Sequence, residues 1–245
     1  MLFADDDTDN VYDSDPEVLE EKIQREANRS TEWVEDNWMA CAGDKTKLLI
    51  VETKMLRQSK LSNKSVSVNV YDNNIDSSHS EKLLGLIVNE ELSWKDHLYG
   101  EKWRPEDNAP GLIPQLGQRV GLLYKLAPRL SKKGFNTISH GIFNSKLQYC
   151  LHVYGNVWMY NTMDENTRNF SAFTLQDCRK LQVLQNKVLR LKTGLDYDTP
   201  TSTLVSESND LSVHQLIAYQ TILTVHKTLR NKKPTYIYNL SLIHI

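Results

Sequence analysis

Met1-Leu2-Phe3-Ala4-Asp5-Asp6-Asp7-Thr8 opens the chain with two apolar residues and an aromatic running directly into three consecutive carboxylates. Two like charges about 4 Å apart repel by roughly 4 kcal/mol at an effective dielectric near 20, so a run of this kind needs either water or a cation. Two readings follow. One is a solvated acidic turn. The other is a divalent-metal site at a β-hairpin tip, because Mg²⁺ takes hard oxygen ligands from one or two carboxylates together with substrate phosphates. Asp15-Pro16-Glu17 then supplies an N-cap, a proline at the first helical position and an acid in the first turn. Leu19, Ile23, Ala27, Val34 and Trp38 follow at helical spacing, which predicts an amphipathic helix of about twenty residues lying on a sheet.

Composition supports a globular chain. Of 245 residues 40% are hydrophobic and 24% charged, with 10 Gly and 7 Pro, enough length to bury one large core or two small ones. No apolar run reaches the length of a membrane span, and the early aspartates do not suit a signal peptide. The expectation is a soluble intracellular protein, nuclear or cytoplasmic, with no membrane contact. Cys41, Cys150 and Cys178 are far apart and lack zinc spacing, so they read as reduced thiols. The net charge of −2 hides an asymmetry: residues 1–40 hold 13 acidic and 3 basic side chains, and the remainder 18 acidic and 26 basic. A basic body suits a phosphate backbone.

Further along, Thr46 to Val51 reads as a buried strand. Val66, Val68 and Val70 alternate with polar residues as a half-buried strand turning at Asp72-Asn73-Asn74, and Glu81 to Val88 reads as the next strand. Asp44-Lys45-Thr46 after Gly43 lacks the spacing of a P-loop, since Trp38 stands where the first glycine is required. Gly100 to Pro110 is a polar linker. Beyond it the period becomes helical, through Leu112, Leu116, Val120, Leu123 and Ala127, then Phe135, Ile138, Ile142 and Leu147, then Leu181, Leu184, Val188 and Leu191. Arg179, Lys180, Lys187 and Arg190 fall within about a third of the circumference beside that last stripe. That face either tracks phosphates or is solvated. Ser212 with Gln215 forms a capping box ahead of a final helix through Leu216, Tyr219 and Leu223 to about Arg230.

Phe3-Ala4-Asp5-Asp6 resembles the aromatic, small, Asp, Asp box of the reverse transcriptase palm. Leu84-Gly85, then Leu92, Trp94 and His97, resemble the pattern by which non-LTR retrotransposon reverse transcriptases pass from palm to thumb. The resemblance covers nearly the whole chain. It implies an α+β fold: a partial palm of antiparallel strands with one long helix and primer grip (1–99), a linker (100–110), and a helical thumb-like and post-thumb region (111–245). It implies RNA-directed DNA synthesis with Asp5 and Asp6 as catalytic metal ligands for Mg²⁺ or Mn²⁺. Lys45 is placed near the nucleotide phosphates, with a solvated turn as the other reading. Leu84, Gly85 and Trp94 would belong to the primer grip, Trp94 being either core or a stacking platform. The implied partners are an RNA template, a DNA primer and deoxynucleotides, with no small-molecule cofactor. The family's third aspartate lies on an earlier palm strand, so the chain reads as a C-terminal portion that polymerises nothing by itself. The rival readings are a non-catalytic nucleic-acid-binding module and a decayed reading frame.

Overall fold

In a computed structural model the described residues are 2–3, 6–51, 66–71, 73–100, 110–155, 174–235 and 237–239. The fold is mixed α+β and divides into two compact units, Met1–Leu92 and Ser93–Ile245. Among the described residues no helix is long and apolar enough to cross a membrane.

The first unit carries the strands. β1 (Leu2–Phe3) pairs antiparallel with β2 (Asp6–Asp7), Phe3 opposite Asp6. Helix α1 (Pro16–Asp36) starts as its sequence dictates, with the Asp15 carboxylate accepting from the Glu17 amide at 2.9 Å. β3 (Leu48–Leu49), β4 (Ser67–Val70) and β5 (Asn73–Ser78) form a sheet in the order β3-β5-β4, and β6 (Ser80–Leu83) forms a hairpin with β7 (Leu86–Asn89). Among the described residues of this unit, Val66, Val68, Val70 and Ile87 are the buried apolar ones.

Several expectations are corrected here. The strand near residue 46 is only two residues long, half-buried and parallel to β5, whereas antiparallel pairing was expected throughout. Val70 pairs with Asn73, so Asn73 and Asn74 belong to a strand and the chain reverses one step earlier than read. The run Glu81 to Val88 is a hairpin, because Leu84 and Gly85 both take positive φ (46° and 87°), the requirement of a two-residue turn of the I′ type. α1 packs on β4, yet none of its 21 residues is buried, and Trp38 lies beyond the helix, 97% exposed at φ 57°. An open depression of about 860 Å³ beside α1 and β4 is lined instead by polar side chains, Glu17, Gln24, Asn28, Ser67 and Asn69 among them, and by none of the stripe residues.

The second unit is helical: α2 (Lys95–Tyr99), α3 (Leu112–Leu126), a 3₁₀ turn (Ala127–Arg129), α4 (Lys132–Ser139), a π turn (His140–Asn144), α5 (Ser145–Gln148), α6 (Leu151–Gly155), α7 (Leu175–Thr193), α8 (Thr201–Ser208) and α9 (Val213–Asn231). Its core joins Leu112, Leu116, Val120 and Leu123 of α3 to Phe135, Phe143, Leu147, Leu151, Tyr154, Leu181, Val188, Leu204 and Ile217. The π turn adds a residue per turn and rotates the register, which puts Phe143 in the core and leaves Ile142 half-buried. Arg119 of α3 donates to the Ile142 carbonyl at this turn.

On α7, Leu184 and Leu191 are half-buried, while Gln185 and Asn186 are 3% and 9% exposed. Both amides are bonded, Gln185 to the Leu211 carbonyl and Asn186 to the Thr201 hydroxyl, each at 2.8 Å. Gln182 accepts from the Val213 amide at 2.8 Å. Buried polar groups are stable in a core only when so paired, and here they dock the starts of α8 and α9 on α7. Cys41 and Cys150 are half-buried and Cys178 buried, all three free thiols.

Candidate nucleic-acid interface

Of the two aspartates, Asp6 lies on β2, and Asp5 lies outside the described residues. Among the described residues no three His, Cys, Asp or Glu side chains gather closely enough to hold a metal ion. That finding does not extend to Asp5, so the divalent-ion site that the resemblance implies is left as an expectation. Lys45 is exposed, closing a turn in which its amide donates to the Ala42 carbonyl at 3.0 Å. Farther along, Asp9 accepts from Ser30 Oγ at 2.8 Å, and Asp13 takes the Lys22 ammonium at 2.5 Å. The Asp15 amide, and after it Lys22, hold the Asp13 carboxyl below its ordinary range.

Leu84 and Gly85 form the tip of the β6–β7 hairpin. Leu84 is 43% exposed at φ 46°, a conformation that costs a residue with a Cβ about 1–2 kcal/mol. Gly85 is required by its own φ of 87°. At the hairpin's open end His79 and Glu90 meet at 2.9 Å, and Asn89 and Ser80 are buried.

In the second unit Trp94 precedes α2 with φ 57° and is half-buried. Its ring lies edge-on to His97 at 6.4 Å and tilted against Tyr154 at 6.2 Å, and His97 and Tyr154 are 5.1 Å apart. Of the two readings of Trp94, this packing favours the core. Burial, with Lys146 adding to it, pushes His97 down to about 4, and burial raises the Tyr154 phenol.

The four basic residues of α7 lie on one helix whose N-terminus is fixed by a reciprocal box between Thr174 and Asp177. They differ in what they do. Lys180 donates to the Tyr99 hydroxyl at 2.9 Å and sits 4.4 Å over that ring, while the same hydroxyl donates to Asp177. Arg190 donates to the carbonyls of Asp196 and Thr199, both at 3.3 Å, and lies 5.1 Å over Tyr197, so it ties down the loop after α7. Arg179 is exposed and Lys187 half-buried, with Val183, 54% exposed, between them on the same face.

The sequence reading did not single out a second basic group. From Pro110 to Gly155 there are six basic residues and no acidic one. Lys125, Arg129, Lys132 and Lys133 are exposed around the 3₁₀ corner joining α3 to α4. Both helices pack on α7. Lys132 and Lys133 stand in the first turn of α4, where the helix dipole is itself positive. The signal was available in the sequence as a window with no acid, which a reading by apolar stripes passes over.

No family model, no curated protein and no solved structure matches the chain.

Proposed function

We propose that the chain is part of an RNA-directed DNA polymerase of the non-LTR retrotransposon kind, and that these residues hold an RNA template with its DNA primer. The observation that carries the reading is the order of parts. A hairpin whose tip keeps an exposed Leu84 at positive φ beside Gly85 is followed within ten residues by the Trp94 and His97 packing, and then by a helical stretch with bases and no acids. An apolar side chain held in a costly backbone at a hairpin tip is a feature that binding sites keep and stability alone would remove. The acid-free stretch supplies the sequence-independent phosphate attraction that such a complex needs.

Deoxynucleotide transfer by this class uses divalent ions, for which Asp5 and Asp6 would be ligands together with a third carboxylate. The expected property of these 245 residues alone is therefore binding without polymerisation. A second reading, a non-catalytic nucleic-acid-binding module, is favoured by the same acid-free stretch and differs in giving the hairpin no role.

A primer ending in a photoreactive 4-thiothymidine, annealed to RNA and irradiated with the full chain, separates the two. The polymerase reading expects adducts within residues 83–94. Adducts confined to α3, α4 and α7 would leave the module reading and remove the polymerase one.

A further inference from the structure

The last helix has two working faces. On one, Val213 and Ile217 are fully buried and Thr228 is 3% exposed, packed toward α6 and α7. On the other, Tyr219, Ile222, Val225 and Leu229 are 55%, 69%, 46% and 39% exposed. At 100° per residue these four lie within an arc of about 120°, the width that normally faces a core, with the exposed His226 inside it. Together they leave roughly 400 Å² of mostly apolar surface open, the size of the largest patch on a typical monomer, which is often a functional one.

The charged residues of α9 and of the segment after it are of one sign. No acidic residue occurs from 211 to 239, whereas Lys227, Arg230, Lys232 and Lys233 are all exposed toward the stripe's C-terminal end. A second copy docked α9 against α9 would set those cations against their own kind, and the stripe offers about half of the roughly 800 Å² per partner found in stable complexes. One helix laid along α9 requires only a stripe of this length, with anchors at positions three and four apart. We propose that the outer face of α9 docks an amphipathic helix of a protein partner whose polar flanks are acidic. The inference is independent of the nucleic-acid reading.

The test is selection of a displayed library of 18-residue amphipathic helices, with flanks randomised between acidic and basic residues, on the full chain. Enrichment of acidic flanks is expected, with binding weakened at least tenfold by Ile222→Asp combined with Val225→Asp, and weakened further by salt. These positions are exposed, so the thermal melt should be unchanged; Ile222→Asn alone serves if the pair perturbs folding. Reversing Lys227 and Arg230 to Glu should shift the enriched flanks toward basic residues. No enrichment, basic or indifferent flanks, or equal binding to the Ile222 variants overturns the proposal. So does a dimer in sedimentation, or uptake on phosphatidylserine vesicles, that the same variants abolish.

Discussion

Replacing Asp177 by Ala removes one carboxylate that serves two elements. Its Oδ2 accepts from the Thr174 amide at 2.9 Å and the Thr174 hydroxyl at 2.7 Å, and its own amide donates back to that hydroxyl at 3.2 Å. Its Oδ1 accepts from Tyr99 of α2, which in turn takes the Lys180 ammonium. Losing the carboxylate half of the capping box costs about 1 kcal/mol. A hydrogen bond to a charged acceptor is worth roughly 1.5–3 kcal/mol, and Asp177 is 6% exposed, so little water replaces it. The sum is about 3 kcal/mol, which for a unit of this size lowers Tm by roughly 6–12 °C. Tyr99→Phe keeps the cap and should cost about 1.5–3 kcal/mol. The double variant should fall short of the sum by at least about 1 kcal/mol, since both changes delete the same bond. Urea unfolding followed by helical circular dichroism gives all three numbers. An Asp177→Ala loss below about 0.5 kcal/mol, or strict additivity, would refute the linkage of α2 to α7 through this carboxylate.

Three further outcomes follow from named contacts. His97 titrates near 4 when folded and near 6.5 when unfolded; between those values the unfolded chain binds more protons, so stability should fall as pH falls, by up to about 1.4 kcal/mol per pH unit, and His97→Phe should flatten that slope in urea titrations. Gly155→Ala would bring a methyl within 2.9 Å of Ile217, which is fully buried, and should cost about 1–3 kcal/mol, partly recovered by adding Ile217→Ala. Leu84→Asn relieves the positive φ at the hairpin tip and should slow amide exchange across β6 and β7 while weakening primer-template binding, whereas faster exchange would contradict the turn assignment.

The parts legible in the sequence are those whose cause is local. Asp15-Pro16-Glu17 opens α1 and Ser212 with Gln215 opens α9 through the expected side-chain bonds, because a cap is decided within four residues. The Leu112, Leu116, Val120, Leu123 stripe is buried as spaced. The failures have distant or cryptic causes. β5 is Asn-Asn-Ile-Asp-Ser-Ser with no buried residue, so it has no apolar face to read. Leu84 sits where turn chemistry would choose Asn, and the apolar run around it hid the hairpin. Gln185 and Asn186 look like solvent residues until their partners at Leu211 and Thr201 are known. At the candidate site, charge and helical angle placed Lys180 and Arg190 on one face of α7, but Tyr99 and the 196–199 loop decide what those two do.

The most direct measurement of the central claim is the salt dependence of binding to a fluorescent RNA–DNA primer-template, by anisotropy with the full chain. If Lys125, Arg129, Lys132 and Lys133 contact phosphates, the logarithm of affinity should fall with the logarithm of salt at a slope of about −3 or steeper, and replacing all four by Gln should reduce that slope by roughly 3. Absence of binding at low salt, or a slope unchanged by the four replacements, would contradict the account.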